Sequence, residues 1–136
     1  MIRKLDHIGI AVRDLEKAVS LYTQGLGLSS SHEEVIEDQA VRTAFLPVGE
    51  THLELLESLT PDGPIGRFIE KRGEGIHHLC FEVDDIVASL AACEAAGMVL
   101  IDKEPRPGAH GMMVAFLHPK STGGVLIELS QRGEST

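Results

Sequence analysis

Two histidines and two glutamates recur in register along this chain, and their types are those of metal ligands and acid–base groups. His7 stands in Leu5-Asp6-His7-Ile8-Gly9-Ile10-Ala11-Val12-Arg13-Asp14-Leu15, and His78 in Gly75-Ile76-His77-His78-Leu79-Cys80-Phe81-Glu82-Val83-Asp84-Asp85-Ile86. The shift that carries His7 onto His78 also carries Val12 onto Val83, Asp14 onto Asp85 and Leu15 onto Ile86. It lays Ala44-Phe45-Leu46 on Ala115-Phe116-Leu117 and, after a short insertion in the second copy, Leu53-Glu54-Leu55 on Ile127-Glu128-Leu129. Each copy therefore offers one His near its first strand and one Glu near its last. Two neutral imidazoles and two carboxylates suit a divalent transition ion of intermediate softness, with room left for water or substrate. Taken singly, each residue reads better as an ordinary strand histidine or a solvated glutamate than as a ligand. Recurrence of both types at matching places is what favours a metal held by His7, Glu54, His78 and Glu128.

The elements that must position these groups follow from periodicity. Ile8, Ile10 and Val12 alternate with His7, Gly9 and Ala11, which predicts a strand with His7 opposite the apolar set. Asp14 is the expected N-cap of a helix carrying Leu15, Ala18, Val19 and Tyr22, stopped by Gly25 and Gly27. Residues 29–39 read as a weak strand or loop, 41–48 as a strand, Pro47-Val48-Gly49-Glu50 as a turn and 52–57 as a strand. In that last strand Leu53 and Leu55 share one face, and His52 and Glu54 the other. Pro61-Asp62-Gly63-Pro64 is the strongest break, and a short amphipathic helix over 65–71 follows it. The second copy repeats the order. A strand over 76–83 carries His78, Cys80 and Glu82 on one face, and Asp85 caps a helix ending at Ala96-Gly97. Residues 98–101 then resemble a strand, 105–111 a structured loop, 113–117 and 125–129 two more strands, and the chain from Gln131 a loose tail. The result is an α+β fold of two βαβββ modules in one domain over residues 1–136: module 1 at about 1–60, a linker helix at about 61–74 and module 2 at about 75–131. Copies too small to stand alone share a core. A pseudo-twofold relation would bring the four candidate ligands toward one cleft.

Other groups carry weaker claims. His52 shares a face with Glu54, but its counterpart in the second copy is Leu126, so the repeat lends it no support. His77 points away from His78 and suits packing or a surface. His110 and His118 lie in loops that could border the cleft, His32 reads as exposed, and Cys80 as a small apolar liner of the cleft. The two cysteines lack any Cys-x-x-Cys spacing, as buried reduced thiols of a cytoplasmic protein would. Met1-Ile2-Arg3-Lys4 runs straight into a strand pattern where a signal sequence would be apolar, and no apolar run nears the ~20 residues of a membrane helix. A formal charge of −9 with no basic stripe argues against nucleic acid.

Paired βαβββ modules with His, Glu, His and Glu at these places resemble the vicinal-oxygen-chelate (glyoxalase-like) superfamily. Within it, the whole chain is similar to the methylmalonyl-CoA epimerases. The likeness rests on Asp6-His7-Ile8-Gly9-Ile10-Ala11-Val12, Leu53-Glu54-Leu55-Leu56-Glu57, Gly73-Glu74-Gly75-Ile76-His77-His78 and Pro107-Gly108-Ala109-His110-Gly111. The run from Phe116-Leu117-His118-Pro119-Lys120 to Gly124-Val125-Leu126-Ile127-Glu128-Leu129 is its most specific part. The resemblance implies inversion at C2 of methylmalonyl-CoA in propionate and branched-chain catabolism, a homodimer, and Co²⁺ as the ion, with Mn²⁺, Ni²⁺ or Zn²⁺ as other choices. Some members have Gln where this chain has Glu54, and some of those carry a Glu, proposed as a base, where this chain has Thr43. A neutral hydroxyl cannot take a proton from carbon at neutral pH, so that role does not transfer.

Epimerisation through a metal-stabilised enolate needs proton access from both faces, and Glu54 and Glu128 are the expected acid–base pair. The CoA phosphates call for cations at the rim. Lys120 and Arg106 are the candidates, with Arg67 and Lys103 behind them and His110 as a further substrate contact. Glyoxalase I is the nearest alternative, since it can use the same four ligand types and also proceeds through a metal-bound enolate. An extradiol-type dioxygenase would use two His and one carboxylate. A drug-binding module would line the cleft with aromatics, against which stand no Trp, one Tyr and four Phe.

Overall fold

In the first half, β1 (Ile2–Ala11) leads through Asp14 into α1 (Leu15–Ser20). Asp14 is extended and its carboxylate accepts from the Lys17 amide at 3.1 Å, which satisfies one of the helix's orphan N–H groups. One wider turn, Leu21–Gly25, ends the helix, and Gly27 at φ 75° reverses the chain. Then come β2 (His32–Ile36), β3 (Val41–Val48) and β4 (Thr51–Ser58). The three run antiparallel and β4 returns parallel to β1, giving the order β2-β3-β4-β1. The expected four-residue turn shrinks to Gly49-Glu50. Pro47 and Val48 stay in β3, because β2 pairs only as far as Phe45 and the missing Pro47 N–H breaks no bond on that side.

The computed structural model describes residues 1–133. Its contacts divide it into two units, His7–His77 and a second formed by Met1–Asp6 with the chain from His78 onward. In the first unit, Leu15 and Ala18 of α1 pack on Val12, Ala44, Leu46 and Leu55. The opposite face of the sheet is covered at one end by α2 (Pro64–Arg72), whose Ile65 joins Ala11, Val41 and Leu56. This second cover accounts for the burial of Ala11, on the His7 side of β1. His7, Gly9 and Ala11 are the buried positions of β1, while Ile8 and Ile10 are half-buried. His77 sits edge-on to Phe68 at 5.0 Å, and burial lowers its imidazole pKa from 6.5.

The second unit repeats the plan with β5 (Gly75–Val83), α3 (Ile86–Ala95), β6 (Arg106–Pro107), β7 (Met112–Leu117) and β8 (Leu126–Arg132). The order is β5-β8-β7-β6, with β8 parallel to β5. Asp85 accepts from the Ala88 amide at 3.0 Å, as Asp14 does from Lys17. The core here is Val83, Ile86, Leu90, Ala115, Leu117 and Leu129. Most of these fall where the repeat lays Val12, Leu15, Ala44, Leu46 and Leu55, so duplication governs packing as well as chemistry.

Two expectations are corrected. Residues 98–101 form no strand. They make a single bridge, Leu100 to Leu117, because the Ile101 and Asp102 amides both reach the one Phe116 carbonyl and the Val99 amide goes to Ser121 Oγ. The chain at Gln131 is not a loose tail. β8 runs to Arg132, and Gln131 Oε1 accepts from the Ile86 amide at 2.7 Å at the start of α3. Glu57 Oε2 does the same for Leu15 at 3.2 Å, and that pair of side chains also obeys the repeat. Residues 134–136 of the expected tail lie outside the described residues. Among the described residues, no helix is long and apolar enough to cross a membrane.

Candidate active site

Parallel pairing of β1 with β4 puts His7 opposite His52 and Gly9 opposite Glu54. Side chains of one parity share a face, so His7, His52 and Glu54 emerge together. His7 Nδ1 lies 3.2 Å from Glu54 Oε2, and His52 Nε2 lies 2.8 Å from the same oxygen. The His7 and Glu54 side chains are only 10% and 15% exposed. One donor atom from each of the three residues falls within 4.8 Å of the other two. An imidazole nitrogen and a carboxylate, as His7 and Glu54 offer them, are donor types that a borderline divalent ion accepts. His52 shares the Glu54 face, as strand alternation predicts, although the repeat lends it no support. Its partner position holds Leu126, but parity within β4 alone was enough to bring it to Glu54.

The second unit makes the matching arrangement with one imidazole. Cys80 is the register partner of Glu128 on β5 and β8, and His78 Nε2 stands 3.5 Å from Glu128 Oε1. Leu126 pairs with His78 where His52 pairs with His7. Cys80 is fully buried and its thiol lies 3.4 Å from Ser130 Oγ, in keeping with a liner. Each glutamate also faces a phenylalanine across the strand pair, Phe45 for Glu54 and Phe116 for Glu128. Within each half, then, the chain brings the expected His to the expected Glu.

Thr43 lies on the Glu54 face of β3, opposite Leu56. It is fully buried and its hydroxyl has no hydrogen-bond partner. The candidate substrate contacts are at the surface. Arg106 pairs with Asp102 at 3.3 Å and lies over the Phe116 ring at 5.5 Å, which sets a cation beside the strand neighbour of Glu128. Lys120 is exposed in a helical turn capped by His118, whose Nδ1 accepts the Lys120 amide at 2.9 Å. His110 is exposed and left-handed, at φ 56°. His32, read as simply exposed, is stacked on Phe45 at 4.3 Å and lies 3.3 Å from Glu34.

Residues 6–116 match the model of the glyoxalase/bleomycin resistance protein/dioxygenase superfamily. The chain is 44% identical to the ethylmalonyl-CoA/methylmalonyl-CoA epimerase of Cereibacter sphaeroides, over 96% of this chain and 99% of that protein. A solved methylmalonyl-CoA epimerase in complex with methylmalonyl-CoA and NH4+ matches with a TM-score of 0.88 at 38% identity, over 98% of this chain and 96% of the other. A probable lactoylglutathione lyase of Vibrio cholerae is more distant, 29% identical over 95% of this chain and 91% of its own. With a matching fold plan, near-complete coverage and these identities, the chain belongs to the methylmalonyl-CoA epimerase family of the glyoxalase-like superfamily.

Proposed function

We propose that this protein interconverts the R and S forms of methylmalonyl-CoA by removing and returning the C2 proton, with a divalent metal as cofactor. The observation that carries the reading is the repeated pair: His7 with Glu54 at 3.2 Å and His78 with Glu128 at 3.5 Å, at equivalent places in both halves. Those four residues would hold the ion, Co²⁺ first and Mn²⁺, Ni²⁺ or Zn²⁺ next, which an all-N,O donor set accepts. Once bound, the ion supplies Lewis-acid stabilisation of negative charge on the thioester oxygen.

The chain's own carboxylates handle the proton. Glu54 accepts it on one face of C2 and Glu128 returns one on the other, with the roles exchanged in the reverse direction. Positioned acid–base groups of this kind contribute about 10²–10⁴-fold in rate. Thr43 takes no part, because its buried hydroxyl is neutral. Lys120 and Arg106 meet the CoA phosphates, and His110 completes the substrate contacts. The protein works as a cytoplasmic homodimer in propionate catabolism and binds neither nucleic acid nor membrane, as its charge of −9 favours.

The test is deuterium incorporation at C2 of methylmalonyl-CoA in heavy water, with metal-loaded and chelator-treated protein side by side. Incorporation by the loaded protein and its loss on chelation are the expected results. Full turnover by stripped protein sinks the metal's role. Activity on methylglyoxal with glutathione but not on methylmalonyl-CoA would make the protein a glyoxalase I instead.

A further inference from the structure

Glu54 and Glu128 are equivalent by duplication, yet Glu54 has an imidazole, His52, two positions before it on β4, where the second copy has Leu126 on β8. The Glu54 carboxylate is approached at Oε2 by His7 Nδ1 and, closer, by His52 Nε2 at 2.8 Å. A carboxylate only accepts, so the His52 contact requires the proton on its Nε2. The ring is itself held in place. It lies 5.1 Å from His7 on β1 and 5.7 Å from Phe45 on β3, and Phe45 stacks on His32 of β2 at 4.3 Å and 12°. A row of four rings thus crosses the sheet, with His52 in its interior. The second copy has Leu126 in place of this imidazole, opposite His78.

We infer that His52 is a positioning residue for Glu54. Its N–H ties down Oε2, so that Oε1 keeps a single orientation for proton transfer on its own face of the substrate. The repeat supplies two carboxylates, and His52 orients Glu54. A hydrogen-bonded partner behind a ligating carboxylate is also the usual means of fixing a metal ligand. The inference deepens the epimerase reading and rests on it for the identity of the substrate.

Two variants separate orientation from packing. His52→Phe keeps a ring in the row and removes the N–H; His52→Gln keeps an N–H donor and removes the ring. The expected result is a kcat at least tenfold lower for His52→Phe with KM within twofold, and recovery to within threefold of the parent in His52→Gln. Deuterium wash-in, followed separately from each methylmalonyl-CoA enantiomer, should slow for one enantiomer only in His52→Phe. Parent-like behaviour of His52→Phe, equal slowing for both enantiomers, or a His52→Gln variant as impaired as His52→Phe overturns the inference. If the parent does not act on methylmalonyl-CoA, the epimerase reading fails by itself and Co²⁺ titration of the same proteins decides about His52. Affinity lowered tenfold or more in His52→Phe and restored in His52→Gln supports it; equal affinity in all three, no binding included, refutes it.

Discussion

Replacing Thr43 by valine exchanges one hydroxyl for a methyl at a site with no solvent exposure and no hydrogen-bond partner. Desolvating a hydroxyl without compensation costs about 1–3 kcal/mol, and an added buried methyl contributes roughly 0.8 kcal/mol. Both side chains are β-branched, so strand preference and χ1 freedom barely change. The substitution should therefore stabilise the protein by about 2 kcal/mol. At ~2.1 cal/mol/K of unfolding entropy per residue, that corresponds to a Tm rise of roughly 7 °C for a chain of this length. Urea unfolding with chelator present isolates the effect from metal binding, and an unchanged m-value verifies that the same surface unfolds. Thr43→Ser is the companion variant. It keeps the hydroxyl and loses the methyl, and should destabilise by about 1 kcal/mol. The epimerase rate of Thr43→Val should stay within twofold of the parent. A loss of 1 kcal/mol or more in Thr43→Val would mean that the hydroxyl has a partner. A tenfold fall in rate would mean that it takes part in the chemistry. Either result refutes the reasoning.

Other perturbations probe the proton path, a close contact and the thiols. Glu54→Gln and Glu128→Gln should each reduce inversion far more than solvent exchange from one enantiomer, because each removes proton transfer on one face only; unchanged inversion by Glu54→Gln would discard it as a base. A Cβ on Gly66 would stand 2.6 Å from the Pro61 carbonyl oxygen, so Gly66→Ala must shift backbone and should cost about 2–3 kcal/mol in a denaturant titration. A change below 0.5 kcal/mol would show that α2 accommodates the methyl freely. Burial raises the Cys93 thiol above its usual value of 9.0, and Cys80 is fully buried. A thiol reagent at neutral pH should modify Cys93 slowly and Cys80 only on unfolding, since the thiolate is the reactive form. Rapid modification of both would contradict the packing described.

Much of the site was legible because a duplication prints its constraints twice. A register shift of the first copy, lengthened by a short insertion before the last strand, laid His7 against His78 and Glu54 against Glu128, and period-two alternation put each pair on one face of its strands. The same alignment would have found Gln131, which stands to Glu57 as Glu128 stands to Glu54. Its amide character hid it, because a polar residue near the end of a chain reads as solvated until its hydrogen-bond partner is known. Residues 98–101 failed for the opposite reason. Met98, Val99, Leu100 and Ile101 have strand composition, but a strand needs a partner whose backbone groups are free, and β7 offers this segment a single bridge, at Leu117.

By itself, then, the order of residues determined the first βαβββ half, both capped helices and the two His–Glu pairs, and it misplaced one strand of the second half, which lies at Arg106–Pro107 and not at 98–101. Periodicity and local capping act over a few neighbouring positions, and a repeat makes each of them visible twice. Tertiary structure alone decided that His52 lies in a row of rings with His7 and Phe45, that Thr43 is sealed without a partner and that α2 buries the histidine-bearing side of β1 at Ala11. Those outcomes turn on angstrom-scale distances between strands and helices far apart in the chain, which a linear pattern does not contain.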